Sequence, residues 1–154
     1  MLPNGFEVME RTISYDDSNL TQVPRLLAEG KVVILKRVKG ISMLPFIRGG
    51  VDSVKLRKVE GLKVGNIVLA IFNGRPLVHR VIAIEGNRVT LMGDGNLEGT
   101  EQGDISEVLG IVDEIITPSG RCRKPGNGRL WYRLLPVRKY LLKVYKKWNK
   151  LFVK

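Results

Sequence analysis

Two side chains carry the chemistry in this chain. Ser42 lies in Lys39-Gly40-Ile41-Ser42-Met43-Leu44-Pro45-Phe46-Ile47-Arg48-Gly49-Gly50, where Gly40 permits a close backbone approach and Pro45 fixes a turn. A serine on such a bend at a strand end presents its hydroxyl and amide outward, as a nucleophile requires. His79 is the only histidine and lies in the alternating run Leu77-Val78-His79-Arg80-Val81-Ile82. A serine hydroxyl is a weak nucleophile until a base removes its proton, and imidazole is the side chain that changes charge near neutrality. The competing readings are a Gly/Pro loop that merely contains a serine, and a histidine on the solvent face of a strand. A third punctuation, Met92-Gly93-Asp94-Gly95-Asn96, ends another strand. Its default meaning is a hairpin turn; its functional reading makes Asp94 the acid that orients His79 or braces the site. Glu98, Glu101 and Asp104 compete for that role.

The elements that must position these groups are mostly strands. Segments 31–38, 52–59, 66–72, 76–84, 87–92 and 108–116 are rich in β-branched residues, often alternate, and are bounded by Gly, Asn or Pro. Before them, residues 20–30 read as a short helix with Leu20, Val23, Leu26 and Leu27 on one face, Ser18 or Asn19 as its cap and Gly30 as its stop. The expected fold is mainly β within the α+β class: a coiled antiparallel sheet or small barrel with one N-terminal helix packed outside.

Charge divides the chain. Residues 1–120 hold 14 basic and 15 acidic side chains, whereas residues 121–154 hold 12 basic and none acidic, which accounts for the net +11. The turn formers Pro118-Ser119-Gly120 and Pro125-Gly126-Asn127-Gly128 mark the boundary. The expected organisation is a catalytic domain over 1–120 with its motif core at 30–115, then a basic linker and amphipathic helical tail over 121–154. From Pro136, the residues Val137, Tyr140, Leu141, Val144, Tyr145, Trp148 and Phe152 recur at helical spacing, opposite Arg138, Lys139, Lys143, Lys146, Lys147 and Lys150. A length of 154 residues excludes a large multidomain enzyme, and the lone Cys122 can form neither an internal disulfide nor a cysteine-based zinc site. The longest apolar runs, such as residues 67–72, fall far short of a membrane span.

Taken in order, Gly40-Ile41-Ser42-Met43-Leu44-Pro45, Arg48-Gly49-Gly50-Val51-Asp52, Lys63-Val64-Gly65-Asn66-Ile67-Val68, Val78-His79-Arg80-Val81-Ile82 and Met92-Gly93-Asp94-Gly95-Asn96 resemble the motif set of the signal peptidase I and LexA-like serine peptidase superfamily. The resemblance implies Ser42 as nucleophile and His79 as base, at a position more often held by Lys, and so the Ser-His type. It implies a coiled, mostly β catalytic domain. Where many signal peptidases place an oxyanion-binding Ser, this chain has Gly40, so the oxyanion would rest on backbone amides around Gly40, Ser42 and Met43. The family interval for the catalytic acid lands on Thr100, which leaves Asp94, in the Gly-Asp box, as the third member and Asp104 as its alternative. The spanning anchor of the signal peptidases is not found in the sequence. The roughly 30 residues before the first strand are too few for a three-helix DNA reader.

The expectation is therefore a serine endopeptidase that cleaves a leader or signal-type peptide, bound extended beside a strand edge, with no metal or cofactor required. Its rival is a non-catalytic peptidase-like module whose basic tail contacts nucleic acid or a partner. For the tail, contact with an anionic membrane through Arg138, Lys139, Lys143, Lys146, Lys147, Trp148 and Lys150 is expected, and nucleic acid is disfavoured. Trp131, Tyr132, Tyr140 and Tyr145 suit the same interface. The corresponding location is cytoplasmic, peripheral at the inner face of the membrane.

Overall fold

The computed structural model describes residues 10–14, 18–40, 42–96, 99–133 and 135–152, without the side chains of 130, 132, 135–139, 149, 151 and 152. Among the described residues, nine strands form one sheet: β1 (Glu10–Ser14), β2 (Val32–Lys36), β3 (Ser53–Arg57), β4 (Ile67–Phe72), β5 (Arg75–Glu85), β6 (Arg88–Met92), β7 (Glu101–Asp104), β8 (Val108–Ile116) and β9 (Cys122–Arg123). The α-helices among these residues are α1 (Val23–Ala28), α2 (Arg129–Arg133) and α3 (Leu135–Phe152). The sheet order is β1-β2-β3-β8-β4-β5-β6-β7, with β9 added to β8. Every pairing is antiparallel except β1 with β2. The class is mainly β, as expected. Of the two forms considered, the open sheet is realised rather than the closed barrel, because β1 and β7 end the path without pairing with each other. Register shifts in the β3–β8, β4–β8 and β5–β6 ladders supply local twist.

Strand β4 explains why Ile67-Val68-Leu69-Ala70-Ile71-Phe72 is continuously apolar instead of alternating. Ile67 and Leu69 pack in one core with Val33, Leu35, Val54, Leu56 and the α1 residues Val23, Leu26 and Leu27. Val68, Ala70 and Phe72 face a second core with Val81, Val89, Leu91 and Ile111. A strand buried on both faces has no position left for a polar residue.

Helix α1 is shorter than expected. A 3-10 turn over Ser18–Gln22 takes up its first residues, so the N-cap is Gln22 without a side-chain cap bond, and neither Ser18 nor Asn19 fills that position. Its end conforms: Gly30 adopts φ +78, with Gly30 N–H donating to Leu27 O and Lys31 N–H to Leu26 O, a Schellman closure. Strands β1 and β7 lay outside the sequence expectation. In β7, Glu-Gln-Gly-Asp has no β-forming residue, and its pairing with β6 alone makes it a strand.

The stretch expected as a linker is held against the body. β9 pairs with β8, the Gly126 carbonyl accepts from Arg80, and Trp131 of α2 is buried. Among the described residues, no helix is long and apolar enough to cross a membrane.

Candidate active site

Ser42 stands in the loop between β2 and β3, which is closed at its neck. Val38 N–H donates to Asp52 O, Gly50 N–H donates to Val38 O, and the Arg48 side chain grips the fully buried Asp52 carboxylate at 2.9 and 3.2 Å. That carboxylate also accepts from Arg48 N–H at 2.8 Å, and its hydrogen bond to the guanidinium raises the Arg48 pKa further above its ordinary value. Gly49 is required here: a Cβ on it would lie 1.8 Å from the Gly40 carbonyl oxygen. Around the serine, Met43, Leu44 and Ile47 point into the protein and are essentially inaccessible. Three apolar anchors thus hold a half-buried Ser42 on a fixed backbone.

Strand β5, the second strand of the β4–β5 hairpin, brings in His79. Its Nε2 lies 3.0 Å from Ser42 Oγ, and its Nδ1 lies 2.9 Å from Glu101 Oε2. The imidazole is buried at 5% exposure, while the Glu101 side chain remains one-third exposed. The tautomer suited to both contacts has Nδ1–H donating to Glu101 and Nε2 accepting from the serine hydroxyl.

The carboxylate placed against His79 is that of Glu101, not Asp94 or Asp104. Register explains the choice. Val81 faces Leu91 across β5–β6, and Leu91 faces Glu101 across β6–β7, so Glu101 shares a sheet face with Val81 and, two residues away, with His79. Asp104 is an odd number of positions from Glu101 and pairs with Arg88. Its carboxylate accepts from Ser106 N–H in a capping box with Glu107. Glu98 lies outside the described residues. The family interval ended one residue short of Glu101, and recognising β7 as a strand was the step needed to apply the alternation.

Asp94 braces the site from the other side. Arg80, next to His79 and so on the opposite face of β5, donates through Nε and Nη2 to the two Asp94 oxygens, both at 2.8 Å. Its Nη1 reaches the carbonyls of Gly65 and Gly126 at 2.8 and 2.9 Å. The Phe46 ring lies under the guanidinium at 5.2 Å. Arg80 and Asp94 are 1% and 0% exposed. The turn that Asp94 anchors touches the Ser42 segment directly, because Gly95 N–H donates to Ser42 O at 2.7 Å and Asp94 N–H to Met43 Sδ at 3.4 Å. A Cβ on Gly93 would fall 2.3 Å from that Ser42 oxygen, so the approach demands glycine.

The backbone following Ser42 curls into a turn, with Met43 O accepting from the amides of Phe46 and Ile47. Among the described residues, the Ser42 and Met43 amides donate to no backbone carbonyl in turns or loops. They are the expected oxyanion donors. Gly40 packs its peptide against Gly49 and supports the loop. Among the described residues, no cluster of three or more His, Cys, Asp or Glu side chains could hold a metal ion.

The tail reaches the same turn. Trp131 Nε1–H donates to Asp94 O at 2.8 Å and packs edge-on against Phe46, and Lys146 Nζ donates to Gly95 O at 3.0 Å. Lys146, expected on a membrane face, is therefore engaged with the body. Lys143, Lys147, Trp148 and Lys150 are exposed, and the side chains of Arg138 and Lys139 lie outside the described residues, as does that of Tyr132. No protein-family model matches the chain, and no curated protein matches it significantly.

Proposed function

We propose that this chain is a serine endopeptidase in which Ser42, His79 and Glu101 form a catalytic triad. The observation that carries the reading is the pair of contacts at 3.0 and 2.9 Å that places His79 between a hydroxyl and a carboxylate. The resemblance of the Ser-Met, His-Arg-Val-Ile and Gly-Asp segments to the signal peptidase and LexA-like superfamily supports it and suggests a leader or signal-type peptide as substrate.

In this mechanism Ser42 Oγ attacks the scissile carbonyl as its proton passes to His79 Nε2. Glu101 holds the ring in the required tautomer and stabilises the imidazolium. The Ser42 and Met43 amides receive the oxyanion. The imidazolium gives its proton to the leaving amine, and a water, deprotonated by the same nitrogen, releases the acyl group from Ser42. The peptide lies extended beside β5, where the β6 ladder begins only at Arg80 and a recess of about 280 Å³ includes Leu77, Thr100 and Glu101 in its lining.

Ser42→Ala is expected to abolish cleavage of a leader-type peptide, and His79→Lys to recover part of the activity lost in His79→Ala. Full cleavage by Ser42→Ala would overturn the proposal.

A further inference from the structure

Helix α3 is divided into three faces. Leu142, Tyr145 and Lys146 lie toward the body: Leu142 is buried, Tyr145 is half-buried, and Lys146 bonds to Gly95 O. Lys143, Lys147 and Lys150, spaced four and three residues apart, form an exposed basic flank. On the remaining side Tyr140, Val144 and Trp148 recur every fourth residue beside Leu141, and the first three are 67%, 66% and 62% exposed. This apolar face continues into an open groove of about 500 Å³ whose other walls are Tyr145, Trp131 and Pro45, the last three residues from Ser42.

We infer that this face seats in the interface of an anionic lipid bilayer and holds the Ser42 loop at the membrane surface. Aromatic side chains with one polar end, aliphatic neighbours and a row of lysines along one flank are the makeup of a helix lying in the headgroup region. Charge complementarity selects the occupant. Residues 121–154 carry 12 basic side chains and no acid, so anionic headgroups satisfy the lysine row while the acyl boundary covers the apolar face. An antiparallel two-fold contact with a second copy would set one lysine row close to another. Nucleic acid would engage the lysines yet leave Tyr140, Val144 and Trp148 in water. Lipid binding by this face stands independently of the peptidase reading; only the consequence that substrates are cut at the membrane surface rests on it.

The test uses full-length protein carrying Ser42→Ala, so that its outcome does not depend on catalysis. The expected result is co-sedimentation with phosphatidylglycerol-containing vesicles at low salt, weaker at high salt and weaker still with phosphatidylcholine alone. Val144→Ser with Trp148→Ser should cut partitioning by on the order of tenfold or more. Replacing Lys143, Lys147 and Lys150 with Gln should cost roughly fivefold per lysine on anionic vesicles only. Circular dichroism melts establish that the variants are folded; if the apolar pair shifts the melt, the lysine variants carry the test. The inference is overturned if the protein fails to sediment with anionic vesicles at low salt, or if both folded variants bind as the parent does. It is equally overturned by a lipid-independent dimer lost in the apolar variant, or by salt-sensitive oligonucleotide binding without vesicle binding.

Discussion

Replacing Asp94 with Ala tests whether this residue is a brace rather than the triad acid. The substitution removes both acceptors facing Arg80 Nε and Nη2, each now bonded at 2.8 Å, in a place where the guanidinium is 1% exposed. Water has no ready access to replace them. Nη1 keeps the Gly65 and Gly126 carbonyls, so the cation remains buried with half of its fork unmatched. Breaking a buried ion pair from one side costs about 3–5 kcal/mol. At roughly 2–4 °C per kcal/mol for a chain of this size, the melting temperature should fall by about 6–20 °C. Urea unfolding followed by circular dichroism measures the loss, and the double variant Arg80→Met with Asp94→Leu should recover much of it, because a buried pair is often replaceable by apolar side chains of similar volume. A melting temperature within about 3 °C of the parent, together with a collapse in peptide cleavage, would refute this reasoning and return Asp94 to the catalytic role.

Three further outcomes follow from the geometry. Gly93→Ala forces a Cβ against the Ser42 carbonyl oxygen, so it should lower thermal stability and also reduce kcat by displacing the Ser42 segment, as measured by thermal melts alongside steady-state cleavage. Trp131→Phe removes the indole donor to Asp94 O and should destabilise the fold by about 1–3 kcal/mol in urea titrations, which shows whether the tail is a structural part of the body. For Asp104, the Ser106 backbone N–H holds the carboxyl below its ordinary pKa. A depressed folded pKa contributes stability above the unfolded value that is lost as pH falls through the folded one. Asp104→Ala should therefore melt earlier than the parent near neutrality, and the difference should vanish in strong acid.

What could be read in advance depended on whether a residue's role was local. Strands β2 to β6 and β8 follow from β-branched runs bounded by turn residues, and Ser42 and His79 stand out in their segments. Glu101 could not be singled out among the competing acids because Glu-Gln-Gly-Asp lacks strand propensity, so the parity argument that places it on the His79 face had no strand to act on. For Asp94 the choice between orienting His79 and bracing the site stayed open, because a Gly-Asp-Gly turn does not reveal its partner. That partner, Arg80, is adjacent to His79 in sequence yet points to the opposite face of β5, and Gly65 and Gly126 complete its coordination from distant segments. The amphipathic tail was legible as two faces. Its third face exists because Leu142, Tyr145 and Lys146 meet the turn beside the candidate nucleophile.

Whether Ser42, His79 and Glu101 act as a unit is read from the rate of adduct formation at Ser42 with a peptidyl phosphonate, followed by mass spectrometry. A single adduct on Ser42 is expected in the parent and none in Ser42→Ala, with labelling slowed by about 10³–10⁴-fold in folded Glu101→Gln, as when the orienting carboxylate of a serine-histidine pair is neutralised. Labelling of Glu101→Gln at the parent rate, or no adduct on Ser42 in the parent, would contradict their acting as a unit.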